Sequence, residues 1–479
     1  MDNIQSTESN RLYKGSLSYF HIVLMVLASA APMVVVPGYI PLSISFGAGL
    51  ATPLVYALAT IILLVFSVGY VEMAKRITAA GAFYTFVTQG LGKSLGLSAG
   101  FASLFCYALI EAAILGGLGF FATELFANHF GLQLPWYAYS FCGLFIIFAI
   151  SYFRVTLTAK ILGLALMIEL LLILIVDFAI LGNGGAEGIQ FYAFNPMELA
   201  AAPALGVGFF LAFWSWIGFE GTAIYGEETV DPKKSVPKAT YTAVILLGVF
   251  YTFSAFMSIL GFGKEAHLIA TQDTSSYFFV LAESYAGPVF RTFMDYFAVT
   301  AFFACAFAFH NNASRYFYVF GREGILPKAL GKTHPVYQSP YIASTAQLFI
   351  AFFIVGAFAL AGSEPLLGLG TWMAIIATLA ILTVQFCVSL AVIGYFNRIG
   401  RKSPGDYLRT IVAPGIGAIT QAIVIVLLIQ NITFLAESDS IVVKLIPFYV
   451  LTVYVLAYIY SIWLKKNKLE TYNRIGQFE

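Results

Sequence analysis

Gly218-Phe219-Glu220-Gly221 stands midway along an apolar run that extends from about Ala202 to Tyr225. Charge at the bilayer centre costs roughly 2.5–3.5 kcal/mol on insertion scales, so a carboxylate persists there mainly where it faces a water-filled or ligand-lined cavity. The flanking glycines let the helix open at that point. A second broken apolar run, Ala28-Ser29-Ala30-Ala31-Pro32, lies near the start of the chain. Two interrupted hydrophobic segments at matching places in two halves point to a transporter binding site.

The composition fixes the class. Hydrophobic residues make up 60% of the chain and charged residues 10%, against about 25% charged in a soluble domain. So much apolar surface must meet lipid, and the chain reads as an all-α polytopic membrane protein. The net charge of +1 says nothing of nucleic acid, and no basic patch interleaved with aromatics stands outside the loops, so no nucleic-acid partner is expected. Cys106, Cys142, Cys305 and Cys387 all fall in apolar runs without CxxC or CxxH spacing. They read as small core residues, neither a disulfide framework nor a metal site.

Runs of about 18 or more apolar residues predict about twelve spanning helices. Their approximate bounds are 18–46, 50–73, 95–127, 134–152, 157–181, 202–226, 239–262, 288–320, 341–361, 368–396, 410–431 and 442–464. The first run is too long and too broken for a secretory signal. With the N-terminus inside, all but three of the 25 lysines and arginines fall in cytoplasmic segments, the exceptions being Lys264, Arg291 and Lys444. Both termini are therefore expected in the cytoplasm. The chain has no long soluble stretch and no GxxxxGKS/T, so neither an enzymatic domain nor ATP hydrolysis is expected. Gly116-Gly117-Leu118-Gly119 has no strand before it and reads as a close helix-packing surface.

Several segments between the spans carry a family pattern. They are Ala80-Gly81-Ala82-Phe83-Tyr84 with Gly90-Leu91-Gly92, then Gly218-Phe219-Glu220 running into Glu227-Glu228 and Asp231-Pro232-Lys233-Lys234, then Ser314-Arg315 to Arg322-Glu323-Gly324-Ile325-Leu326-Pro327. In this order the set resembles the amino acid, polyamine and organocation (APC) superfamily of permeases. The resemblance implies two inverted five-helix repeats at 18–181 and 202–396, and two peripheral helices at 410–464. Tails of 1–17 and 465–479 would flank them. It also implies secondary active transport, by proton symport or by exchange.

Unwinding a helix frees N–H groups after the break and carbonyls before it, which suits a substrate carboxylate and ammonium respectively. Where relatives have a small, glycine-rich break in helix 1, this chain has Ala30-Ala31-Pro32-Met33. Pro32 supplies no N–H, so one anion donor is missing, which widens the substrate range to amines. The alternative is a simple proline kink. The resemblance places Trp214 where an aromatic closes over substrate from outside, where it can also hold an ammonium by cation–π attraction. It places Phe309 at a second pocket aromatic. Both also read as packing residues.

Glu111 lies mid-way along helix 3, too deep to snorkel, at a position that the resemblance assigns to the pocket. Tyr107 is one turn away on its face. Glu111 reads as a partner for a cationic substrate group, as a coupling site, or as a structural carboxylate. Glu169 stands where many relatives have a lysine, and a buried carboxylate there suits a proton carrier or a cation partner. His310, in His310-Asn311-Asn312, is a candidate proton shuttle or a packing histidine. Asp177, Glu124 and Asp295 are expected to be solvated near the outer helix ends.

The expected protein is a permease of the bacterial inner membrane that imports a small amino acid or amine by rocking one helix bundle against another. It has no cofactor and no metal, is not an enzyme, and works as a monomer or homodimer in contact with lipid. The substrate set is Ala30, Ala31, Pro32, Met33, Tyr107, Glu111, Trp214, Gly218, Phe219, Glu220, Gly221 and Phe309. Glu169, Glu220 and His310 are the coupling candidates, with protons the coupling ion. The rivals are a channel, disfavoured because there are no rings of charge, and a transporter-like sensor, which lacks an output domain. A membrane enzyme would need a nucleophile with a base or a metal cluster.

Overall fold

The computed structural model describes residues 17–77, 81–153, 155–400 and 403–477. Most of the expected N-terminal tail, the last two residues of the C-terminal tail and Ala80 of the Ala80–Tyr84 motif lie outside the described residues. No strands occur among them, apart from an isolated bridge between Leu17 and Thr229. Eleven helices are long and apolar enough to cross a bilayer. The remaining expected span, 202–226, is divided: α7 (Leu205–Trp214) stops, Ser215 to Glu220 run as successive turns, and α8 (Gly221–Ile224) resumes.

The first span breaks too. α1 (Tyr19–Ala30) ends at Ala31, in the left-handed region at φ 43°, ψ 72°. The chain restarts with α2 (Pro32–Val34) and continues through π-helical turns at Val35–Tyr39 and Ser43–Gly47. Proline at the first helical position is pre-set for a helix start and cannot donate backwards, so Pro32 both ends α1 and begins α2.

The unbroken helices form the frame. They are α3 (Thr52–Ala74), α4 (Lys93–Phe130), α5 (Trp136–Phe153), α6 (Val155–Asn183), α9 (Pro232–Phe262), α10 (Pro288–Glu323), α11 (Tyr341–Leu360), α12 (Thr371–Ile399), α13 (Ala413–Gln430) and α14 (Ile446–Asn467). The most extensive pairing is α4 with α10. The glycine cluster on α4 allows it: a Cβ on Gly117 would lie 2.1 Å from the Phe302 ring, and one on Gly116 2.4 Å from the Pro365 carbonyl. The expected packing role is thus observed. Large apolar side chains such as Leu164, Phe178, Phe353, Ile419 and Phe448 are exposed on the outer helix faces, the surface that lipid covers in a membrane protein.

Two expectations need correction. Asp177 is not solvated: it is fully buried, and Ser254 of α9 donates its hydroxyl to Oδ2 at 2.6 Å. Helix α6 turns that face onto α9, which a linear position near a helix end does not reveal. Of the four cysteines, Cys106 and Cys305 are core residues, but Cys142 is exposed and Cys387 half-buried. An outward position costs a small apolar thiol nothing in lipid.

Candidate functional site

The two breaks face one another. Gly218 has φ +108°, a backbone region open to glycine, and a Cβ there would lie 2.5 Å from Cβ of Ser29. A second close approach joins the same two chain segments further along, where a Cβ on Gly47 would lie 2.8 Å from the Gly208 amide. Glycine in both segments therefore lets the broken helices lie backbone against backbone.

Glu220 closes its own loop. The Gly218 N–H donates to Glu220 Oε2 at 3.1 Å, and the Tyr107 hydroxyl donates to Oε1 at 2.6 Å. Tyr70 of α3 donates its hydroxyl to the Glu220 carbonyl at 3.0 Å. The carboxylate is fully buried. Phe219 is buried edge-on against Phe66 and Tyr70, and the Gly221 N–H donates to the Gly218 carbonyl at 2.9 Å. On the other break, the Tyr251 hydroxyl donates to the Ala30 carbonyl at 2.8 Å, and the Cys305 thiol to the Ser29 carbonyl at 3.3 Å. Ala30, Ala31, Pro32 and Met33 are all buried. Phe309 stacks on Tyr107 with centroids 6.2 Å apart and lies 3.6 Å from where a Gly218 Cβ would be.

Trp214 stacks on Tyr39 at 4.2 Å between centroids. The stack joins the halves of the two broken helices on one side of the breaks. Two cavities of about 310 and 400 Å³ reach it from the end of the bundle remote from the termini; Trp214 lines one and Tyr39 the other. Asp273 at their rim is held below the usual carboxylate range. Partial burial pushes the other way, but the Ser276 N–H and the Ser275 hydroxyl outweigh it.

The opposite end carries Leu17 and Gly476. Leu17 N–H donates to the Glu228 carbonyl at 3.0 Å, and Gly476 N–H to the Tyr84 hydroxyl at 2.9 Å. Here Arg315 of α10 forms a buried ion pair with Glu228 at 2.9 Å and lies over the Tyr225 ring, while the Tyr225 hydroxyl donates to Asn312. The breaks are thus closed by a stack of aromatics towards one end and an ion pair towards the other.

Glu111 is not gathered with Glu220. Its Oε1 is 2.9 Å from His310 Nδ1, and Gln347 donates to Oε2 at 2.6 Å; His310 Nε2 is 2.7 Å from the Ser344 hydroxyl. All four residues are buried, in the frame helices α4, α10 and α11. Glu169 is likewise buried, with the Thr300 hydroxyl of α10 3.4 Å away. Sequence reasoning missed Tyr39, Tyr70, Tyr251, Ser344 and Gln347 as partners. Nothing distinguishes them among 28 tyrosines and many polar helix residues. Arg315 and Glu228 did stand in the family segments, although no pairing was expected of them. Among the described residues no group of three or more His, Cys, Asp or Glu is placed to hold a metal ion.

The family model for amino acid permeases matches residues 21–477. The chain is 24% identical over 431 residues to the low-affinity putrescine importer PlaP of Escherichia coli (strain K12), covering 87% of this chain and 89% of that protein. It is 22% identical over 445 residues to the branched-chain amino acid permease BcaP of Bacillus subtilis (strain 168), covering 87% and 88%.

Proposed function

The chain belongs to the amino acid permease family, and from that premise we propose a secondary active transporter that imports a small amino acid or amine by alternating access around the breaks at Ala31 and Gly218–Glu220. The observation that carries this reading is the contact of the two breaks, with Glu220 fully buried in the second. An unwound pair of helices supplies backbone carbonyls and amides at the depth where a substrate must shed its water. The names of the two relatives span an amine and amino acids, in keeping with that range.

Segments 18–181 and 202–396 form the two inverted halves, 410–464 the peripheral helices, and the tails at 1–17 and 465–479 face the cytoplasm by the lysine and arginine count. On that orientation the Tyr39–Trp214 stack is the outer gate and Arg315–Glu228 the inner one. Proton coupling runs through Glu169 or Glu220, both of them buried acids. A carboxylate alternately charged and neutral, exposed first to one side and then to the other, is a sufficient proton carrier. Glu111 and His310, locked to each other, serve the frame.

The test is uptake into proteoliposomes. Wild-type flux should saturate and show trans-stimulation, and Gly218→Leu should abolish it with membrane insertion intact, because the leucine side chain has no room beside Ser29. Non-saturating flux would mean a channel, and near-normal uptake by Gly218→Leu would remove the breaks from the transport path.

A further inference from the structure

We propose that the substrate is an amine without a carboxylate group. The inference rests on the transport reading above and narrows it. A carboxylate bound at a broken helix needs free amide N–H groups, a basic side chain, or both. The first break offers almost none of the former. Pro32 has no N–H, and the Val34 and Val35 N–H groups both turn back on the Ala31 carbonyl, at 2.8 and 3.1 Å. Met33 is the one amide of that turn which neither bond takes. At the second break the N–H groups of Phe219, Gly221, Thr222 and Ala223 go to the carbonyls of Trp216, Gly218, Phe219 and Glu220, and those of Gly218 and Glu220 go to the Glu220 carboxylate.

Basic side chains do not supply the charge either: among the described residues Arg315 is the one buried lysine or arginine, and Glu228 holds it at the end of the bundle that carries the termini. A ligand carboxylate between the breaks would lie beside Glu220 with no opposite charge to offset its desolvation.

The same place suits a cation. The Glu220 carboxylate receives only neutral donors, from Tyr107, Gly218 and its own amide, and of its roughly four lone-pair sites one is left for another donor. Helix α1 turns its C-terminus, the negative end of its dipole, to the break, where the Ala30 and Ser29 carbonyls already accept from Tyr251 and Cys305. The Tyr107 hydroxyl and the Phe309 ring edge close on Glu220 and Gly218 and give the site an aromatic wall. An alkyl- or arylalkyl-ammonium therefore finds a counter-charge, the negative end of a helix dipole and an aromatic wall, while the carboxylate of an amino acid finds a like charge.

Matched pairs isolate the carboxylate: leucine and isopentylamine, tyrosine and tyramine, ornithine and putrescine, lysine and cadaverine. Binding to purified protein by thermal shift and competition, and counterflow in proteoliposomes, should favour the amine at least tenfold in one or more pairs. Pro32→Gly, which returns an amide donor, should shift the ratio of amino acid to amine affinity about tenfold towards the amino acid, the weight of one charge-assisted hydrogen bond. Transport of amino acids in preference to their amines in every pair would overturn the proposal and leave the transport reading standing. Failure of every amine and every amino acid to bind or exchange would overturn both.

Discussion

Tyr107 reaches Glu220 across 2.6 Å, while Glu111, one turn along the same helix, is held by His310 at 2.9 Å. One face of α4 thus supports a carboxylate in the break and buries a second inside the frame. The two acids are equally buried but differently placed: Glu220 meets neutral donors in the break, whereas Glu111 meets His310 and Gln347 inside the frame.

Tyr107→Phe removes the donor to Glu220 Oε1 without a large change of shape. A hydrogen bond to a charged group is worth about 1.5–3 kcal/mol, so substrate affinity should fall roughly tenfold or more while expression and helicity are kept. Competition binding on purified protein measures it. An unchanged affinity would mean that Tyr107 does not set the Glu220 carboxylate.

His310→Ala leaves one oxygen of the buried Glu111 without its partner while Gln347 keeps the other, a change that costs about 1–3 kcal/mol or more for a charged group. Thermal unfolding in detergent should show a large loss of stability. Glu111→Gln, which keeps the shape, should reduce uptake of cationic and neutral solutes alike, since Glu111 is held by His310 and Gln347 within the frame helices. A loss confined to cationic solutes would return Glu111 to the binding site.

Arg315→Ala breaks the ion pair with Glu228 and should favour the state open at that end. Breaking a buried pair shifts such an equilibrium by orders of magnitude. With Cys106, Cys142, Cys305 and Cys387 replaced, a cysteine at Ala28 in the adjacent cavity should react faster with a polar thiol reagent supplied from the side that carries the termini. Equal rates in the two backgrounds would rule out a gate at Arg315.

Glu169→Gln separates binding from coupling. Glu169 meets Thr300 and none of the groups that hold Glu220, so counterflow exchange should persist while accumulation driven by an imposed proton gradient is lost. A mutant that still concentrates substrate in response to the gradient passes the coupling role to Glu220. Uptake that needs sodium in the wild type would instead make Glu169 a cation partner.

The linear pattern alone determined the membrane class, the spans and both breaks. Length, apolar run and the local demands of Pro32, Gly218 and Gly221 act within a few residues and are visible without a fold. It also marked Glu111, Glu169, Glu220 and His310 as improbable in an apolar setting, because the cost of burying a polar group does not depend on which neighbour offsets it. Which neighbour does so was decided only by tertiary structure. Tyr107 goes to Glu220 and not to Glu111, His310 to Glu111, Arg315 to Glu228, and Ser254 to the Asp177 expected in solvent. Those pairings join residues 77 to 199 positions apart, through helix rotations that follow from where glycines let helices approach.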